Sequence, residues 1–298
     1  MTTRADLRQR IGSGAFLGDT LVSTATGGTS TTLVDTKQAQ DADVWNGSEL
    51  VHKPGASGYE VRRVTDFASG GTFTADRAFT ATPVNADNYE VHRVFSPGRK
   101  NDAINEAIRI SGKRFARRTQ DTSLTTAANK YGYNITSLSP AVDRDWGLIK
   151  VEYDTGLSGT NVPYQEVDND YWEVVDDNAT LMLQFSGIVF DTNTRTLRLT
   201  YLVRPSVFSN DTGALDPGTT NFENFICTYA TGTLARARWI AEGGEPGSGW
   251  HQVYQRMQRE LDSLDTDRPR RKASSVKLPV YGEDRSYVEP AVGRIRIP

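Results

Sequence analysis

The hydrophobic period of this chain changes style along its length, and that change limits the folds open to it. Segments of helical period at residues 3–11, 97–118, 221–240 and 250–264 alternate with two long Gly/Thr/Asp-rich stretches of strand-like character. A basic tail without helical period follows. This order predicts an α+β chain: a small helical bundle with two inserted antiparallel β domains and an extended C-terminal arm. Residues 1–18, 96–130 and 207–264 are expected to form the helical body. Residues 19–95 form a first β-barrel or sandwich, 131–206 a second β-sandwich, and 265–298 the arm.

Local signals support the helices. Thr3 can cap the first, with Asp6 completing a partial capping box, and Gly12 and Gly14 end it. Ser96-Pro97 starts the second with a serine cap and proline at the first helical position. Ile104, Ala107, Ile108, Ser111 and Phe115 make its apolar stripe. Its remaining surface is strongly basic: Arg99, Lys100, Arg109, Lys113, Arg114, Arg117 and Arg118. Such a face is either simply solvated or docks on an acidic neighbour or passing nucleic acid. Asn221 or Thr220 can begin the third segment. There Gly232, between two threonines, weakens the middle, where a kink or break can form. Val253, Met257, Leu261 and Leu264 give the fourth an amphipathic stripe.

The β stretches carry alternation and turn chemistry. Tyr59-Glu60-Val61-Arg62-Arg63-Val64 is nearly repeated as Tyr89-Glu90-Val91-His92-Arg93-Val94, and both have strand period. Ser69-Gly70-Gly71 reads as a turn, and His92 as a strand surface residue. In the second stretch, Trp146–Tyr153, Tyr171–Val175, Thr180–Phe185 and Thr196–Val203 read as strands.

Catalysis finds little support. Cys227, the only cysteine, lies among apolar residues and reads as a buried thiol. The three histidines fall in different segments and match no paired-ligand pattern. The Gly-rich 243–249 stretch lacks the Gly-Lys-Ser/Thr ending of a phosphate loop. The acidic run Glu166, Asp168, Asp170, Glu173, Asp176 and Asp177 lacks the glycine and terminal glutamate of a calcium loop, so a solvated loop or a docking patch is expected there. No catalytic, cofactor or metal residues are assigned, and no enzyme activity is expected. The N-terminus has no apolar signal core and no segment approaches a membrane span, so a reducing aqueous compartment without membrane attachment is expected. The net charge of −3 decides nothing about nucleic acid.

The tail holds a basic run, Arg268-Pro269-Arg270-Arg271-Lys272, then Val276-Lys277-Leu278-Pro279-Val280-Tyr281 and Arg294-Ile295-Arg296-Ile297-Pro298. Its alternating apolar positions suit strand addition or groove binding on a partner. In layout the chain resembles the head–tail adaptor, or neck, proteins of tailed bacteriophages. Thr3–Ile11, Pro97–Arg118, Phe222–Ile240 and Trp250–Leu264 would be the adaptor bundle, and Ser274–Pro298 the docking arm. The resemblance implies a virion protein, made in the host cytoplasm and placed at the neck. It implies a homo-oligomeric, twelve-fold ring that binds the portal protein and tail or tail-fibre proteins. DNA would pass through its channel without being read by sequence. The partner-binding residues it implies are Arg109, Lys113, Arg114, Arg117, Arg118, Arg270, Arg271, Lys272, Val276, Leu278, Val280, Tyr281, Ile295 and Ile297. Alternative roles are a tail-fibre attachment or receptor-binding protein, or a tail terminator.

Overall fold

The computed structural model describes residues 1–55, 58–145, 147–156, 163–177, 180–186, 188–189, 194–266 and 295–296. The chain is α+β, with four helices and several antiparallel sheets among the described residues. It divides into two units, Met1–Ser111 with Ser206–Arg271, and Gly112–Pro205 with Lys272–Pro298.

In the first unit, α1 (Arg4–Gly12) begins as its sequence dictates. The Thr3 hydroxyl accepts the Asp6 amide at 3.2 Å, and the Asp6 carboxylate accepts the Thr3 amide at 2.8 Å. Leu7 and Ile11 are fully buried on one face. Helix α2 (Pro97–Ser111) starts with the Ser96 hydroxyl accepting the Arg99 amide at 3.2 Å. It ends seven residues short of the expected Arg118. Gly112, at φ +50°, takes the left-handed conformation that stops a helix, and a 3-10 turn over Gly112–Phe115 leads into a strand. Helix α3 (Thr220–Ala241) is capped by Thr219, one residue before the expected start, and runs through Gly232 unbroken. The glycine has a different use from the expected kink. A Cβ there would stand 3.3 Å from the Met257 Cβ of α4 (Gly249–Thr266), so its absence lets the two helices approach closely. Helix α3 packs against both α2 and α4, and α1 packs against α2 and α3.

Between α1 and α2 lies a seven-stranded antiparallel sheet. Its strands are β1 (Thr20–Thr24), β2 (Gly27–Gly28), β3 (Thr32–Val34), β4 (Glu49–Lys53), β5 (Glu60–Ala68), β6 (Thr72–Ala75) and β7 (Asn88–His92), in the order β1-β7-β4-β5-β6-β3-β2. The two near-repeats flank one strand: β5 and β7 both pair with β4, where Val51 lies opposite Val61 on one side and Glu90 on the other. Leu33, Leu50, Val64, Phe67, Phe73, Tyr89 and Val91 fill the core of this sheet. Phe73 sits between Phe67 and Tyr89 at ring separations of 4.7 and 5.5 Å, within the range of favourable aromatic pairs. The Ser69-Gly70-Gly71 turn joins β5 to β6. Gly71 (φ +83°) is irreplaceable on space as well as conformation, since a Cβ would stand 1.8 Å from the Asp35 carbonyl oxygen. Entry and exit of the sheet meet at one point. The Arg93 amide donates to the Asp19 carbonyl at 2.9 Å, and the Phe95 amide to the Asp19 carboxylate at 3.1 Å.

The second unit has its own core of two sheets. One orders β11 (Tyr164–Val167), β10 (Leu148–Asp154), β15 (Leu197–Val203) and β8 (Arg117–Asp121). The other orders β12 (Trp172–Asp177), β13 (Thr180–Phe185) and β9 (Gly132–Asn134). Tyr133, Val151, Leu183, Leu197, Leu199 and Tyr201 are buried within it. The strands expected at Tyr171–Val175, Thr180–Phe185 and Thr196–Val203 form within a residue or two of those bounds. Near the C-terminus, β16 (Ile295–Arg296) pairs in parallel with β14 (Ile188–Val189).

Candidate functional site

Strand β7 is buried on both faces. Tyr89 and Val91 enter the apolar core of the sheet, while Glu90 and His92 point the other way and meet α1 and α2. Strand alternation alone puts these pairs on opposite sides. What lies behind the second side is a seam of buried charge within the first unit.

Arg8 of α1 and Glu90 are both fully buried and form a two-pronged pair, with Nε to Oε2 at 2.9 Å and Nη2 to Oε1 at 3.2 Å. The Arg8 Nη1 also donates to Asp211 at 2.7 Å and to Asn101 of α2 at 3.0 Å. Asp211 in turn accepts from Arg4 at 2.8 Å. Glu90 accepts further bonds from Gln9 and His92, each at 2.9 Å, and from Lys53. Lys100, fully buried in the first turn of α2, donates to Asp19 at 2.6 Å and to Thr20 at 2.5 Å, and lies 3.1 Å from His92 Nδ1. The seam therefore joins α1, α2, β7, the start of β1 and the loop before α3.

Burial works against ionisation at each group, and the partners decide the balance. Burial alone would raise the Glu90 carboxyl, but hydrogen bonds from His92 and Arg8 and the nearby cations hold it well below the usual carboxylate range. Burial lowers Arg8, and Glu90 and Asp211 more than restore it, leaving it raised. Burial also lowers Lys100, and there Asp19 restores only part. His92 is lowered mainly by burial, with Lys100 adding to the effect against the bond to Glu90.

A second buried histidine, His52 of β4, faces a carboxylate at each ring nitrogen: Glu60 at 3.4 Å and Asp87 at 3.0 Å. Those carboxylates also hold the loop before β7. Glu60 accepts the Thr80 and Ala81 amides, and Asp87 accepts the Val84 amide. Nothing in either cluster positions a nucleophile. The Cys227 thiol is buried in α3 and pushed up to about 12, chiefly by burial. Among the described residues no group of three or more His, Cys, Asp or Glu is placed to hold a metal ion, and no helix is long and apolar enough to cross a membrane. The chemistry the seam can perform is cohesion.

The basic residues singled out from the sequence scatter. Arg109 is exposed on α2 in the first unit. Lys113 and Arg114 lie in the 3-10 turn, with the Arg114 guanidinium 5.3 Å from the Phe115 ring centre. Arg117 and Arg118 are exposed on β8, paired with Val203 and Leu202 of β15. With the helix ended at Ser111, these five do not share one helical face. Lys100 is no surface residue, and His92, expected on the strand surface, is only 2 % exposed. Ile295 lies in β16. Arg270, Arg271, Lys272, Val276, Leu278, Val280, Tyr281 and Ile297 lie outside the described residues. In the acidic run, Glu166 pairs with Lys150, and Asp176 with Arg144.

Sequence reasoning missed Arg8, Asp19, Glu90, Lys100 and Asp211 as one cluster. The available signal was position: Arg8 adjoins Leu7 and precedes Ile11 by three, and Lys100 precedes Ile104 by four, so both fall on apolar faces.

No family model matches the chain, and no curated protein matches it. One similar solved structure is a co-crystal of the regulatory domain of Toxoplasma gondii PKA with cAMP. It is 11 % identical, covers 67 % of this chain and 89 % of that one, and gives a TM-score of 0.13. At that score the likeness says nothing about fold or function.

Proposed function

We propose that this chain is a structural virion protein, a head–tail adaptor that forms a ring joining portal to tail and continuing the DNA channel. The observation that supports this reading is the order of elements along the chain. Four helices that pack on one another are interrupted by β insertions, and a tail with alternating apolar positions follows the last helix. The helices serve as the ring-forming bundle. The C-terminal segment is the docking arm, and its residues 273–298 span up to roughly 85 Å when extended. Closing a ring multiplies weak contacts through high effective concentration, so no single interface needs to be strong.

The self-contained core of the second unit favours a subsidiary reading, in which that unit carries fibre or decoration proteins on the outside of the particle. The adaptor reading is tested directly. The full chain and a version lacking residues 273–298 are mixed with portal and followed by sedimentation and mass photometry. The full chain is expected to co-sediment as a ring, and the truncated one to stay folded and unbound. Unimpaired portal binding by the truncated chain would remove the arm from the mechanism. A full chain that stays monomeric beside portal would remove the adaptor role.

A further inference from the structure

His92 sits between two groups that together fix its state. On one side its Nε2 is 2.9 Å from the Glu90 carboxylate, which can only accept, so Nε2 must carry a hydrogen. On the other side its Nδ1 is 3.1 Å from the Lys100 ammonium, which can only donate, so Nδ1 must present a lone pair. Only the neutral ring protonated on Nε2 satisfies both. Thr20, whose hydroxyl lies 3.2 Å from the same Nδ1, suits either form.

The charges facing the ring sharpen the requirement. Arg4 and Arg8 come from α1, Lys53 from β4 and Lys100 from α2, against the carboxylates Asp19, Glu90 and Asp211. Glu49 lies opposite His92 across the sheet. With Glu49 the carboxylates number four, equal to these four cations, before the ring takes a proton. Residue His92 also contributes to the wall of an open cleft of ≈ 260 Å³, with Glu49, Arg93, Ser96 and Arg99 among others, while its side chain is itself fully buried.

We propose that His92 is an acid-sensitive latch: its neutral Nε2–H form locks the first turn of α2 onto β1 and β7, and protonation at Nδ1 drives Lys100 away and opens that junction. This inference rests on the buried seam and is independent of the adaptor reading. Its sign is fixed. A histidine whose pKa is lowered by folding takes its proton more readily in the opened chain. The latch is therefore fully held above about pH 6.5 and is lost as the pH falls below that value.

Two measurements on the full-length protein test it. Long-range nitrogen–proton correlation spectra at pH 7.5 report the tautomer of each of the three histidines. His92 is expected as neutral Nε2–H, and a cationic ring or an Nδ1–H tautomer would overturn the proposal without any variant being needed. Hydrogen exchange, corrected for intrinsic rates, is then compared at pH 7.5 and 5.0. Protection over residues 19–22 and 98–102 is expected to drop at the lower pH in the wild type. It should stay nearly constant in H92Q, whose amide keeps one donor and one acceptor but cannot be protonated. Equal acid loss in both proteins would sink the latch.

Discussion

Glu90 takes bonds from Arg8, Gln9, Lys53 and His92 while exposing no surface of its own. Removing its charge leaves the fully buried Arg8 with one carboxylate partner, Asp211, in place of two. Glu90→Gln should therefore cost about 3–5 kcal/mol, the range for breaking one half of a buried pair, read from urea unfolding at pH 7. The pH response follows from the direction of its shift. An unfolded glutamate titrates near pH 4.3, and folding holds Glu90 well below that. Its stabilisation is thus present above about pH 4.3 and lost as the pH falls toward the folded value, and E90Q should show a flatter acid limb. Cys227 provides a separate check: buried and with its thiol pushed up to about 12, it should resist a thiol reagent at pH 8 until the protein unfolds. Some of these roles were legible in the sequence. The buried thiol was readable from its apolar neighbours and the Thr3 cap from its spacing to Asp6. Lys100 and Arg8 were hidden because residue type argued for the surface while helical position argued for the interior. Their carboxylate partners lie 81 to 203 residues away, a distance no local pattern reports.

At the scale of elements, strand alternation carried well where one face meets a core, as in β13. It was insufficient for β7, because a period of two says which residues share a side but not that both sides are covered. The end of α2 was misread for a related reason. The stripe from Ile104 to Ser111 continues in register to Phe115, and only the conformation at Gly112 shows that the chain has left the helix. Glycine conformation also supports a graded prediction at the β5–β6 turn. Gly70 (φ +112°) has open space where a side chain would go, whereas Gly71 faces the Asp35 carbonyl. Gly70→Ala should cost roughly 1–3 kcal/mol from backbone strain alone. Gly71→Ala should cost more, with both values read from thermal or denaturant unfolding. Equal costs would mean that the turn relaxes freely.

Across the whole molecule, the second unit owes its core to residues between Tyr133 and Tyr201. A fragment comprising residues 112–205 is expected to fold alone, with a single cooperative thermal transition by circular dichroism and dispersed amide resonances. A fragment that stays unfolded would show that the rest of the chain supplies part of its stability. Helix-to-β alternation was enough to foresee both β regions and the helical segments between them. It put residues 112–130 with the helical body, whereas their first strand, β8, joins β15 from some 80 residues further along.

The meeting of Asp19 with Arg93 gives the seven-stranded sheet a narrow neck, like a leaf on a stalk. Such a neck invites transplantation: the segment between could be cut out and another grafted without lengthening any helix. The seam forbids a simple exchange. A graft lacking counterparts of Glu90 and His92 would leave Arg8 with Asp211 and Lys100 with Asp19 as their remaining carboxylate partners. Any viable replacement must either bring its own carboxylate and imidazole or come with uncharged substitutes at both helical positions. The sheet and the helices are in this sense inherited as a set.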